Sequence, residues 1–98
     1  MTLLKLSVTL LTMKGNTTMN IRCYDNGKTF DRYTVVYMDC PEKQYKTYMC
    51  VGMSEHPFNP QGFGQHGSAM VGRHLGKRIK FEELPVDCQK LVKQDLAN

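Results

Sequence analysis

From Met19 to Asp25 apolar and polar positions alternate, with Ile21 and Cys23 set against Arg22 and Tyr24, and the alternation runs into Asp25-Asn26-Gly27. A period of two marks a half-buried strand, and Asn-Gly accepts the positive φ that a tight hairpin turn demands. A β-hairpin is therefore expected to start the domain. Its second strand reads Asp31 to Met38, where Tyr33, Thr34, Val35, Val36 and Tyr37 supply the β-branched and aromatic side chains that suit a pleated surface. A turn follows at Pro41-Glu42-Lys43-Gln44, and Thr47 to Met53 reads as a third strand, antiparallel to the second. The result is a three-stranded meander whose two faces carry Val35 and Tyr37 or Val36 and Met38.

The period changes towards the C-terminus. Leu84, Cys88, Leu91, Val92 and Leu96 fall at i, i+4, i+7, i+8 and i+12, the stripe of an amphipathic helix, and Pro85 suits its first turn. Lys90, Lys93, Gln94 and Asp95 take the solvated side. Before it, Lys77-Arg78-Ile79-Lys80-Phe81 alternates basic and apolar residues and predicts a short fourth strand. The expected fold is α+β: a small antiparallel β-sheet, made of the three-stranded meander plus the short fourth strand, packed by one C-terminal helix.

Between Ser54 and Gly76 the pattern breaks down. This stretch holds all three histidines, two of the four prolines and five of the eight glycines, a density of punctuation that precludes a long regular element. A long ordered loop is expected, with Phe58, Phe63, Met70 and Leu75 available to pin it to the sheet. Loops of this length in compact domains commonly carry function.

Length and composition narrow the classes. Ninety-eight residues with 41% hydrophobic and 22% charged residues make one small domain, too short for separate cofactor and substrate domains. No apolar run approaches a bilayer span, so a membrane partner is not expected. The cysteines at 23, 40, 50 and 88 form no C-x-x-C pair, and Cys23 and Cys50 sit in strand-like runs and Cys88 in a helix-like one, which points to buried thiols in a reducing cytoplasm. Residues 1–18 differ from the rest: they contain no acid, no aromatic residue and no clean periodicity. Lys14-Gly15 must be encoded by a sequence resembling a bacterial ribosome-binding site, followed closely by Met19. Residues 1–18 are thus expected to be a non-native or disordered extension and 19–98 the domain. Losing Lys5 and Lys14 takes the formal charge from +4 to +2.

Several patterns in the chain look like chemistry. Gly62-Phe63-Gly64-Gln65-His66-Gly67 matches G-x-G-x-x-G but lacks the βαβ unit of a dinucleotide site, and Gly76-Lys77-Arg78 lacks the hydroxyl of a P-loop. His56, His66 and His74 have the ligand chemistry for zinc beside a cysteine, but their spacing matches no standard zinc pattern. No cofactor and no metal are expected. Arg73, Lys77, Arg78 and Lys80 form a modest basic cluster suited to phosphate or nucleic acid, but Glu82 and Glu83 follow at once and the charge is low for a nucleic-acid binder, so a solvated strand edge defended by lysine and arginine is the preferred reading.

Tyr24-Asp25-Asn26-Gly27, Asp31-Arg32-Tyr33-Thr34-Val35-Val36, and Gly52-Met53-Ser54 followed by Pro57, Pro60-Gln61-Gly62-Phe63 and Gln65 together resemble a set of short uncharacterised proteins of bacteriophages and prophages. Hairpin chemistry explains Asn-Gly but does not demand Asp-Arg-Tyr-Thr or Pro-Gln-Gly-Phe. The resemblance runs from about Met19 to the C-terminal helix and brings no reaction with it. It implies expression in the cytoplasm of a bacterial host and an accessory role there.

The function expected from these observations is non-catalytic. The chain is read as a phage or prophage accessory protein that binds a host protein or a defence component. Its contact surface is the Asp25 to Arg32 turn with the Ser54 to His74 loop. The residues singled out for binding are Asp31, Arg32, Ser54, Gln61, Phe63, Gln65, His66, Arg73 and Arg78. Two alternatives stand beside it: a small-ligand or nucleic-acid module using the basic strand and loop aromatics, and a Cys/His metal protein. If Asp31, Arg32, Gln65 and His66 form one site, the fold must bring them to one exposed concavity.

Overall fold

The computed structural model describes residues 20–42 and 46–97. The readings made for residues 1–18 and for the middle of the Pro41 to Gln44 turn lie outside them. The chain folds as one antiparallel sheet of five strands with a single C-terminal helix, an α+β fold. The strands are β1 (Ile21–Asp25), β2 (Tyr33–Pro41), β3 (Tyr48–Met53), β4 (Gly64–Ala69) and β5 (Lys77–Ile79), in the spatial order β4-β3-β2-β1-β5. The helix α1 spans Val86–Ala97, directly after Pro85.

Register settles which face each strand buries. Cys23 lies opposite Val35, Val35 opposite Val51 and Val51 opposite His66, so these residues share one face. Tyr33, Tyr37 and Met53 join them by the period of two. Helix α1 covers this face with Cys88, Val92 and Leu96, and Leu84 from the segment before it completes the cluster. The opposite face carries Tyr24, Val36 and Cys50, packed by Met38, Tyr48, Ala69, Val71 and Leu75. Val71 and Leu75 belong to the segment that returns from β4 at one edge to β5 at the other. That return lays a second, thinner cover over the face the helix leaves open.

The expected meander is present and is longer by one strand. Inside the stretch expected to be irregular, Gly64–Ala69 pairs along the whole of β3, from Met53 opposite Gly64 to Tyr48 opposite Ala69. The free edge of β3 needs partners for its N–H and C=O groups, and a proline-free polar segment supplies them through its backbone alone. The last predicted strand is shorter than expected. It pairs with β1 only from Lys77 to Ile79, and Phe81–Glu83 turns into a 3-10 helix, with the Lys80 N–H donating to Glu83 Oε1 at 2.7 Å.

The first hairpin turn is also longer than two residues. Asn26 Oδ1 accepts from the N–H groups of Lys28 (2.9 Å) and Thr29 (3.2 Å), Gly27 adopts φ +73°, and the strand resumes at Tyr33. Asn26 thus acts as a side-chain cap that shapes a wider turn.

Candidate functional site

Alternating strand directions bring the β1–β2 turn and the β3–β4 loop to the same end of the sheet, because Tyr33 lies opposite both Asp25 and Met53. The loop from Ser54 to Phe63 is a closed Ω-like structure. Ser54 N–H donates to the Phe63 carbonyl at 2.8 Å, and the Phe63 N–H returns to Ser54 Oγ at 2.9 Å. Inside it, Asn59 N–H donates to His56 O and Gly62 N–H to Asn59 O. The Cys88 thiol donates to the Ser54 carbonyl at 3.2 Å, tying the loop stem to α1. Ser54 is buried, and its hydroxyl holds the loop closed.

A cleft of about 400 Å³ lies between turn and loop, and Lys28, Phe30, Arg32, Glu55, His56 and Gln61 are among its walls. Arg32 is fixed there by a two-point pair with Asp25, Nε to Oδ1 at 2.6 Å and Nη2 to Oδ2 at 3.0 Å. Its guanidinium also sits 5.1 Å from the Tyr33 ring centre. The hydrogen bond from Arg32 holds the Asp25 carboxyl below the usual carboxylate range, outweighing the opposite push of partial burial. Phe30, 64% exposed, leans edge-on against Phe63 with ring centres 6.4 Å apart. Gly52 leaves room beneath them, since a Cβ there would sit 3.9 Å from the Phe63 ring and 4.0 Å from Asp31 Oδ2.

The residues singled out from the sequence therefore divide among three places. Arg32, Ser54 and Gln61 line the cleft, with Phe63 and Asp31 next to it. Gln65 and His66 are consecutive on β4 and point to opposite faces, so Asp31, Arg32, Gln65 and His66 do not converge. His66 lies on the helix side with Nε2 2.8 Å from Asp95 Oδ2, and the buried Tyr37 hydroxyl donates to the same oxygen. Desolvation, then the bond to Asp95, pushes the Tyr37 phenol far up, so it stays protonated and a donor. Arg73 and Arg78 line a second groove on the other face, together with Arg22 and Tyr24.

Sequence reasoning did not single out Phe30, Glu55 or Arg22 for binding, and it weighed His56 only as a zinc ligand. An aromatic at the tip of a hairpin turn is the signal that marked Phe30, and Arg22 shows only once β5 is known to pair with β1. The three histidines sit on separate elements, and among the described residues no three His, Cys, Asp or Glu side chains gather as a metal site. All four thiols are free. Burial pushes Cys23 up to about 12 despite the nearby Arg78 charge, and burial followed by the Asp87 charge does the same to Cys88. Neither is an activated nucleophile at neutral pH. Among the described residues no helix is long and apolar enough to cross a membrane. Comparison with protein-family models, curated proteins and solved structures finds no match for the chain.

Proposed function

We propose that this chain is a non-catalytic phage or prophage accessory protein. It binds a host or defence-system protein in the bacterial cytoplasm through the end of the sheet where turn and loop meet. The observation that carries the reading is Phe30, a large aromatic held 64% exposed on a turn that is pinned from both sides, beside the cleft that Arg32 and Gln61 line. An aromatic next to a fixed arginine is the composition of an interface anchor, and pre-formed loops lower the ordering cost of association. Phe58, 47% exposed on the neighbouring loop, extends the same surface. Free thiols suit a reducing compartment.

The test pairs Phe30→Ala and Phe58→Ala with a melting curve for each. Both side chains are exposed, so melting temperatures stay close to that of the parent. Capture of a specific host protein and the fitness contribution of the gene in a phage or lysogen are expected to fall together in the double variant. Unchanged capture and unchanged fitness overturn the assignment.

A further inference from the structure

The second groove lies on the sheet face away from α1 and does not rest on the reading above. Tyr24 of β1 is paired with Arg78 of β5, which places Arg22 diagonal to Arg78 on the same face. The return segment adds Arg73 from a 3-10 turn. That turn is anchored by Val71 and Leu75 beneath it and closed by Leu75 N–H to Gly72 O and Gly76 N–H to Arg73 O. Gly76 is pressed against β1 so closely that a Cβ would sit 2.5 Å from the Asn26 Cα. Arg73 is thus held over β1 by backbone packing.

Arg22, Arg73, Lys77 and Arg78 surround a groove of about 530 Å³, with Tyr24, 5% exposed, at its floor. Among the described residues no carboxylate lies within 4.0 Å of any of the three arginines, whereas Arg32, elsewhere on the molecule, has its own aspartate. Like charges at cross-strand positions oppose each other, so an arrangement that gathers three guanidinium groups without an acid favours an anion between them. Arginine forks match phosphate oxygens two at a time. The groove is open, and its one aromatic ring is buried, so it offers no platform on which a base could stack. Its recognition is of charge and phosphate geometry.

We infer that this groove binds the phosphates of a nucleic-acid backbone without reading its bases. Binding of short fluorescein-labelled oligonucleotides of unrelated sequence, followed by anisotropy across salt concentrations, tests it. Three phosphate contacts predict that log K falls with log salt at a slope of roughly −3 on duplex DNA, and each of Arg22→Ala, Arg73→Ala and Arg78→Ala should reduce that slope by about 1. Lys90→Ala and Lys93→Ala, which remove the same charge from the exposed side of α1, leave the slope unchanged. Arg22→Lys keeps the charge at the half-buried position and restores most of it, so a folding defect in Arg22→Ala does not blunt the test. Loss of binding shared equally by the α1 variants overturns the site. Equal affinity for a polyglutamate peptide overturns phosphate recognition. Competition by pyrophosphate at matched phosphate concentration overturns the backbone as ligand in favour of a small phosphorylated molecule.

Discussion

Three glycines separate close packing from conformational freedom at single positions. A Cβ on Gly62 would overlap the carbonyl oxygen of His56, a backbone atom that cannot swing away without opening the Ω-like loop. Gly76 combines φ +112° with backbone contact to Asn26, while Gly67 on β4 has nothing within 4 Å of the same position. Gly62→Ala and Gly76→Ala are each expected to cost about 1–3 kcal/mol, and Gly67→Ala to be neutral or slightly stabilising, by about 0.5 kcal/mol. Urea midpoints of the three variants check this order. The sequence marks these glycines only as punctuation. Which of them faces a carbonyl and which faces open space depends on how the loop closes on itself and how the return segment meets β1.

At the scale of elements, Asp95 is where the last turns of α1 meet β2 and β4, through the Tyr37 hydroxyl and His66. Asp95→Ala leaves a buried phenol without an acceptor and is expected to cost about 1–3 kcal/mol, whereas Asp95→Asn retains an acceptor and costs less. In a Tyr37→Phe background the penalty of Asp95→Ala should shrink, which a double-mutant cycle by denaturant unfolding measures. The same elements show what was legible beforehand. The alternation in β1 to β3 and the 3.6 period of α1 are written in side chains, because each element has a face to bury. β4 reads Gly-Gln-His-Gly-Ser-Ala, with no β-branched or aromatic residue, and most of it is exposed. Its pairing is a backbone event driven by the edge of β3, and sequence pattern has no purchase on it. The candidate site was legible as two regions, the Asp25 to Arg32 turn and the loop after Ser54. Their meeting follows from strand direction, while the dispersal of Gln65 and His66 follows from the strand that hides in the loop.

For the whole molecule, the two deepest thiols are a main source of the response to alkali. Cys23 and Cys88 hold their protons up to about 12 in the fold, whereas an unfolded chain releases them near 8.5. Above the unfolded value the folded state carries the extra protons, so stability falls as pH rises, by up to about 1.4 kcal/mol per pH unit for each thiol. Urea midpoints are expected to drop between pH 9 and 10 in the parent and to drop less steeply in the Cys23→Ala, Cys88→Ala double variant, the remaining slope coming from Cys40, Cys50 and Tyr37, which burial also pushes up. In the native protein iodoacetamide should reach the half-buried Cys40 before either of them.

The return from β4 to β5 has one more effect, on the timing of folding. β1, made first, finds its outer neighbour only when Lys77–Ile79 has been synthesised, and its inner face is sealed only by Cys88, Val92 and Leu96. Pairings this distant in sequence raise contact order and slow the search. A nascent chain halted before the helix exposes a bare apolar sheet face, so native structure is reached as a whole and only once the helix residues are free to pack.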